Sequence, residues 1–536
     1  MAQPPERIAF SSPDGPPVSG VARAAGIISL GNVASRALGL AREFVKADLF
    51  GATGLVSAFE VANIVPTIIF DLLVGGMISS ALVPVLSDYG DSKRGRREFW
   101  QLVSTLLSLA AVVLAAFVVL AELFAPQIAW LFGARNFTDP ALWPITTRLL
   151  RIMLPAVLFL NLSGLVTGTL YSLKRFTLPA LTAAAYNAAI VVAALLWPER
   201  IASLAWGVLA GAIGQVILQL PALDLGQLHW RWNLGHPALR KIVRLYLPIV
   251  LGVIVSQAAI AISYNLATET GDASVATMRY ATTLIQFPLG LVATAISVAI
   301  LPTLARQANP DQNIAAPGSF QSTLAQGLRL VIILIIPATV GLFVLARPIV
   351  ALAFEHGDFT AADTGLTAHV LRFYLIGLPF AAIDQLLIFA FYARKNTLAP
   401  ALVGVLSVAV YLIVALALLE PMGLFSLMIA DSIKHMVHAG VMTYLLHRRF
   451  GGIWSEITLT AGKAILASLV MGSAVWAAAA ALPDLPALLQ RLLVVGCGGT
   501  AGLLIYTLLI SRLNVPEVQL LRDLIRSRLG TSAREE

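Results

Sequence analysis

The sequence predicts an all-α polytopic membrane protein of about fourteen transmembrane helices, built as two parallel six-helix repeats around a central cavity with two extra C-terminal helices. Three observations carry this. Hydrophobic residues fill 58% of the 536 positions and charged residues only 12%, with mean hydropathy +0.85, whereas soluble chains carry roughly 25% charged residues. Apolar runs of about 20 residues, long enough to cross a hydrocarbon core about 30 Å thick, recur almost end to end. Finally, Leu150-Arg151, Tyr171-Ser172-Leu173-Lys174 and Pro179-Ala180-Leu181 return 221 residues later as Leu371-Arg372, Tyr392-Ala393-Arg394-Lys395 and Pro400-Ala401-Leu402. Ile78-Ser79-Ser80-Ala81-Leu82-Val83-Pro84 returns as Ile296-Ser297-Val298-Ala299-Ile300-Leu301-Pro302 at an offset three shorter. Duplicated hydrophobic bundles are a common plan for secondary transporters, with substrate bound between the halves.

The apolar runs place spans near 24–50, 55–86, 102–124, 144–171, 177–197 and 202–221 in the first repeat. The second repeat holds spans near 243–268, 274–304, 324–346, 365–392, 398–419 and 423–446, followed by an unrepeated pair near 457–482 and 488–511. The expected organisation is a tail (1–22), a first lobe (23–225), a second lobe (226–450), the extra pair (451–512) and a second tail (513–536). Each repeat has an even number of spans, so both begin on the same side and are related by an axis along the membrane normal. Loops after even spans carry fifteen Lys and Arg, among them Lys93, Arg94, Lys174, Arg175, Lys241, Arg394 and Lys395; loops after odd spans carry Arg135, Arg200 and Arg347. That bias puts the even-span loops and both termini in the cytoplasm.

Span one is polar where lipid-facing helix is expected. At 100° per residue, Asn32, Ser35, Arg36, Gly39, Arg42, Glu43 and Lys46 fall in one wedge about 120° wide. A charge at the bilayer centre costs at least ~2.5–3.5 kcal/mol on insertion scales, so this wedge faces a wet cavity or a charged ligand. In span two, Glu60, Asn63, Thr67 and Asp71 share a face, with Ser57 at its edge. These acids either line the cavity or balance the arginines structurally. Gly75-Gly76-Met77-Ile78-Ser79-Ser80 then supplies small residues for bending or close contact. In the second repeat, Gln257 and Asn265 add polarity to span seven, while Arg279, Thr282, Thr283 and Gln286 line one face of span eight. Cationic and polar faces thus converge from both halves, which suits an anionic substrate. Arg151 and Arg372, being repeat equivalents, read as architectural, and Asp431 with Lys434 reads as a pair on its own helix.

Other chemistries find little support. The net charge of +8 sits in loops as orientation signals rather than as a nucleic-acid patch. A single cysteine, Cys497, allows no intrachain disulfide or cysteine-rich metal site. The polar, Pro-rich first 20 residues show no cleavable signal peptide. There is no Walker A loop, the seven His lack metal-ligand spacing, and no cofactor is expected.

Ser35-Arg36-Ala37-Leu38-Gly39-Leu40-Ala41-Arg42-Glu43, Phe50-Gly51-Ala52 and Gly76-Met77-Ile78-Ser79-Ser80-Ala81-Leu82-Val83-Pro84 resemble the opening of the MurJ/MviN lipid II flippases. Tyr280-Ala281, Gln286-Phe287-Pro288-Leu289-Gly290 and Ile300-Leu301-Pro302 resemble the same family in span eight. The resemblance implies two six-helix lobes in a V, with the extra pair forming a lipid-side groove for a prenyl tail. It implies a bacterial inner-membrane flippase, expected to act as a monomer. The substrate it implies is lipid II or a related polyprenyl-pyrophosphate glycolipid, with cavity arginines holding the pyrophosphate. Arg36 and Arg42 match two of these arginines. A third would fall near Phe70-Asp71, where this chain has no base, and a fourth at Thr283, with Arg279 one turn away. The acid usual at the start of span two is Ser57 here, with Glu60 one turn on.

The leading expectation is therefore lipid II translocation by alternating access, reset by the membrane potential or a coupled ion. Alternatives are a flippase for another polyprenyl-linked glycan, or a drug/cation antiporter, which would favour acids over arginines in its cavity. A non-transporting cell-wall scaffold would not need the cationic wedge, and a membrane glycosyltransferase would need larger outer loops.

Overall fold

The structure is a computed structural model describing residues 18–75, 77–89, 93–233, 235–308, 319–450, 454–483, 486–513, 515 and 517. Most of both tails, Gly76, and the side chains of Ser79, Ser80, Lys93, Arg94 and Arg449 lie outside what is described.

The described residues are helical with no strand. The first half runs α1 (Val18–Phe50), α2 (Gly54–Phe70), α3 (Val83–Ser87), α4 (Lys93–Leu123), α5 (Ala125–Leu131), α6 (Leu142–Ser172), α7 (Thr177–Leu196) and α8 (Ala202–Gln219). The second runs α9 (Pro237–Glu269), α10 (Ser274–Pro288), α11 (Ala295–Gln307), α12 (Ser319–Val344), α13 (Ala346–Phe354), α14 (Ala361–Ala393), α15 (Leu398–Met422) and α16 (Phe425–Phe450). α17 (Trp454–Ala480), α18 (Ala487–Leu492) and α19 (Gly498–Arg512) follow. Eleven helical segments are long and apolar enough to cross a membrane, or twelve when bent α9 counts as one span. α1 and α16 are as long but carry charge along one face, so the expected fourteen depends on counting helices that hydropathy alone passes over.

The repeat is visible in the backbone. Lys174 and Lys395, equivalent in sequence, are the two non-glycine residues with positive φ (59° and 57°) among the described residues. Each follows a helix whose end is closed the same way, by Arg175 N–H donating to Leu170 O (2.8 Å) and Asn396 N–H to Phe391 O (3.0 Å). Each half also breaks its second long helix with a π-helical segment in matching register, at Asp71–Gly75 (continued at Ile78–Leu82) and at Leu289–Thr294. An inserted residue of this kind bends the axis and turns the side chains beyond it.

Small residues let helices approach where lipid offers no hydrophobic drive between them. A Cβ on Gly207 of α8 would lie 2.7 Å from the Ile190 Cα of α7. In the first half, α1, α2, α6, α7 and α8 pack together; in the second, α10, α12, α14, α15 and α16 do, with α17 and α19 attached through α12.

The halves meet at both ends. At the end away from the basic loops, each half reaches into the other. Asn136 donates to Asn265 O (3.0 Å), Asn265 to Leu131 O (2.8 Å), and the amides of Thr138 and Asp139 to the Asp272 carboxylate (2.7 and 3.2 Å). In return Asp358 N–H donates to Asp48 O (2.8 Å), and Tyr280 hydroxyl to Gly51 O (3.0 Å). Gly51 sits there at φ +59°, a left-handed conformation that favours glycine, and a Cβ on it would also strike the Asp358 carbonyl. At about 1 kcal/mol net per hydrogen bond, such a closure holds firmly yet stays within reach of ligand binding energy. At the basic end, α9 touches the first half through Tyr246 hydroxyl to Leu72 O (2.5 Å), Gln257 to Asp71 (2.9 Å) and Lys241 to Asp88 (2.8 Å).

Candidate functional site

The helical period of α1 turns its polar wedge inward, toward α2, α7 and α10. Lys46, 1% exposed, sits between Glu43 Oε2 (2.5 Å) and Glu60 Oε1 (2.5 Å), and 5.1 Å from the centre of the Tyr280 ring. An ammonium over an aromatic face gains further attraction when desolvated. Arg42 donates through Nη2 to Glu43 Oε1 (2.7 Å) and through Nη1 to Asn187 Oδ1 of α7 (3.0 Å). Asn187 in turn donates to Ser35 O (3.3 Å), tying α7 to α1. Arg279 of α10 faces this cluster, its Nε 3.8 Å from both Glu43 Oε1 and Glu60 Oε2. That is too long for a hydrogen bond, and Nε is a buried donor with no partner among the described residues.

These groups border a cavity of about 580 Å³ between the halves. Among the residues expected from sequence, Asn32, Ser35, Arg36, Arg42, Glu43, Arg279, Thr283 and Gln286 line it. Glu60 does not; it is buried behind the lining as the partner of Lys46. Asp71 also lies off the lining, where it accepts from Gln257 of α9. Thr283 donates to the Arg279 carbonyl one turn back (2.9 Å). Arg36 is exposed to the cavity, with no carboxylate at ion-pair distance among the described residues. Its guanidinium crosses to the second half and rests on the π-helical segment, where a Cβ on Gly290 would lie 2.2 Å from Nη1.

Tyr186, Asn187 and Gln215 also line the cavity, and sequence reasoning missed them. Tyr186 and Asn187 are neighbours on uncharged α7, and Gln215 shares uncharged α8 with Gln219, a faint signal beside the charges of α1. Among the lining residues three cations (Arg36, Arg42, Arg279) stand against one carboxylate (Glu43), leaving a surplus of two positive charges at the cavity wall. In a low-dielectric setting that surplus favours an anion with several oxygens, and guanidinium groups suit phosphate oxygens bidentately.

Comparison with known proteins agrees with this geometry. Residues 46–487 match the family model described as lipid II flippase MurJ. A lipid II flippase MurJ of Burkholderia cenocepacia is 30% identical over 381 residues, covering 69% of this chain and 73% of that protein. A probable lipid II flippase MurJ of Haemophilus influenzae is 29% identical over 467 residues, covering 82% and 89%. Among solved structures, a lipid II flippase MurJ in an inward closed conformation superposes with TM-score 0.78 at 24% identity, over 93% of this chain and 99% of that one. An inward-facing multidrug MATE transporter of the MOP superfamily gives 0.63 at 14% identity, over 80% and 96%. These structural likenesses bear on the fold, and the family match spans most of the sequence, so this chain is a multi-pass membrane protein belonging to the lipid II flippase MurJ family.

Proposed function

We propose that this protein moves lipid II, an undecaprenyl-pyrophosphate-linked muropeptide, from the inner to the outer leaflet of the bacterial cytoplasmic membrane, acting as a monomer with both termini in the cytoplasm. The observation that carries this reading is the cationic surplus of the cavity between the halves, with Arg36, Arg42 and Arg279 reaching it from both. The pyrophosphate carries one negative charge on each phosphate and would neutralise that surplus. Arg36 and Arg42 supply donors from α1, and Arg279, which also lines the cavity, supplies others from α10. The lobes, residues 23–225 and 226–450, rock about this point, and the prenyl tail stays in lipid beside residues 451–512. With the positive-inside orientation, the reciprocal closure around Asp48, Asp272 and Asp358 lies on the outer side. Entry of the headgroup from the cytoplasmic side then requires the α9 contacts at the basic end to part, and release outward requires the reciprocal closure to part.

The test is depletion of the protein from its host, followed by a leaflet-specific assay for lipid II. Accumulation in the inner leaflet is the expected result. Unchanged outer-leaflet lipid II overturns the reading. Binding of the purified protein to lipid II against other polyprenyl-pyrophosphate glycans fixes the headgroup preference.

A further inference from the structure

The second half holds an ionisable cluster that the cavity does not use. His438 of α16 faces Asp384 of α14, Nδ1 to Oδ1 2.5 Å, with both side chains about nine-tenths buried. Asp431, Lys434 and His435 continue along α16, with Lys434 2.5 Å and His435 3.7 Å from the Asp431 carboxylate. Facing them are Tyr374 on α14 and Tyr411 on α15, the latter with its ring 5.8 Å from Lys434 Nζ. The charge on neighbouring α12, Arg329, is engaged by Glu517. Ionisable groups inside spans are costly and mark ion or proton pathways by default, and histidine is the side chain whose charge changes near neutral pH.

The pair is also connected to the site. Gln385, next to Asp384, donates to Thr294 Oγ1 (3.0 Å). Thr294 closes the π-helical segment whose Gly290 carries the Arg36 guanidinium. The pair and the bend of the second half's broken helix are thus separated by one backbone step along α14 and one hydrogen bond, and that bend lies against Arg36 of the first half.

We propose that the Asp384–His438 pair is a proton-binding site whose loading is transmitted through Gln385 and Thr294 to the π-helical bend and to Arg36. In the unloaded state the neutral imidazole donates its Nδ1–H to the Asp384 carboxylate, and the pair carries one negative charge. A proton from water adds at Nε2, giving imidazolium beside carboxylate with no net charge. It leaves from Nε2 to water when the lobes have rocked. The proton site stands without the lipid II reading; its coupling to transport rests on that reading.

Two measurements test it on the full-length protein. In weak buffer with a pH-sensitive dye, between about pH 8 and pH 5, the parent is expected to take up about one proton more per chain than Asp384→Asn, which keeps the hydrogen-bonding shape, and than His438→Gln. Equal uptake by all three overturns the site. In proteoliposomes with the membrane potential clamped, a proton gradient imposed in either direction should change the parent's lipid II translocation several-fold. Thr294→Val should keep the extra proton and lose that response. A parent rate indifferent to the gradient overturns the coupling. A parent that moves no lipid II under any condition sinks the flippase reading instead, while the proton count still decides the site.

Discussion

Arg36 and Arg42 share one face of α1 yet keep different company. Arg42 is held by Glu43 and Asn187, whereas Arg36 lies open to the cavity against Gly290. Arg36→Ala leaves no carboxylate stranded, so normal membrane levels are expected with lipid II affinity down about tenfold or more, the worth of a charge-assisted hydrogen bond of about 1.5–3 kcal/mol. Arg42→Ala should lose transport similarly, since Lys46 still partners Glu43. Arg→Lys at either position should also impair function, because a point charge cannot replace a guanidinium fork. Binding measured in nanodiscs and complementation of a depleted strain check these together; full complementation by both alanine variants would sink the clamp. Arg279→Ala is expected to be defective, and adding Thr283→Arg to restore part of the activity, because the two positions share a face about 6 Å apart in height. A double variant no better than the single would leave the second lobe's phosphate ligand unassigned. Lys46, by contrast, lies between two buried acids, and removing one partner of a buried ion network costs about 3–5 kcal/mol. Its loss would be read as misfolding.

At the scale of the helix, the π-helical segments set where side chains point, and Gly290 is the sharpest point of contact. Gly290→Val puts branched carbon where the Arg36 guanidinium now rests. It should weaken lipid II binding as far as Arg36→Ala does, and the two changes together should cost little more than either alone. Additive losses would show that Gly290 matters for some other reason. The wedge of α1 was legible in sequence because one helix carries all of it, and a period of 3.6 suffices to place it. Glu60 was not, because the long stem of Lys46 draws it behind the lining, which only packing decides. Asn187 was invisible for a similar reason: one amide in an apolar helix has meaning only once α7 lies against α1. The π-helical segments were heralded by a Gly-Gly run in the first half and, more faintly, by Pro288 and Gly290 in the second.

At the scale of the molecule, the loop charges predict that a reporter fused after Glu536 reads as cytoplasmic. An external reading would reverse the proposed orientation, and with it the side on which the reciprocal closure lies. The fold class was legible from composition and repeat alone, whereas the contacts between halves were not, since they rest on carbonyls, amides and turns that carry no compositional mark. That closure has a kinetic consequence. Residues 131–139 grip the α9–α10 turn while residues 355–360 grip the α1–α2 turn, so each half holds the other. For lobes that rock as rigid bodies, as proposed above, both grips break in the same movement, and partial parting leaves hydrogen bonds broken with nothing gained. On that proposal opening is an all-or-none event, and leakage through half-open states is suppressed by the wiring of the loops rather than by the bulk of any plug.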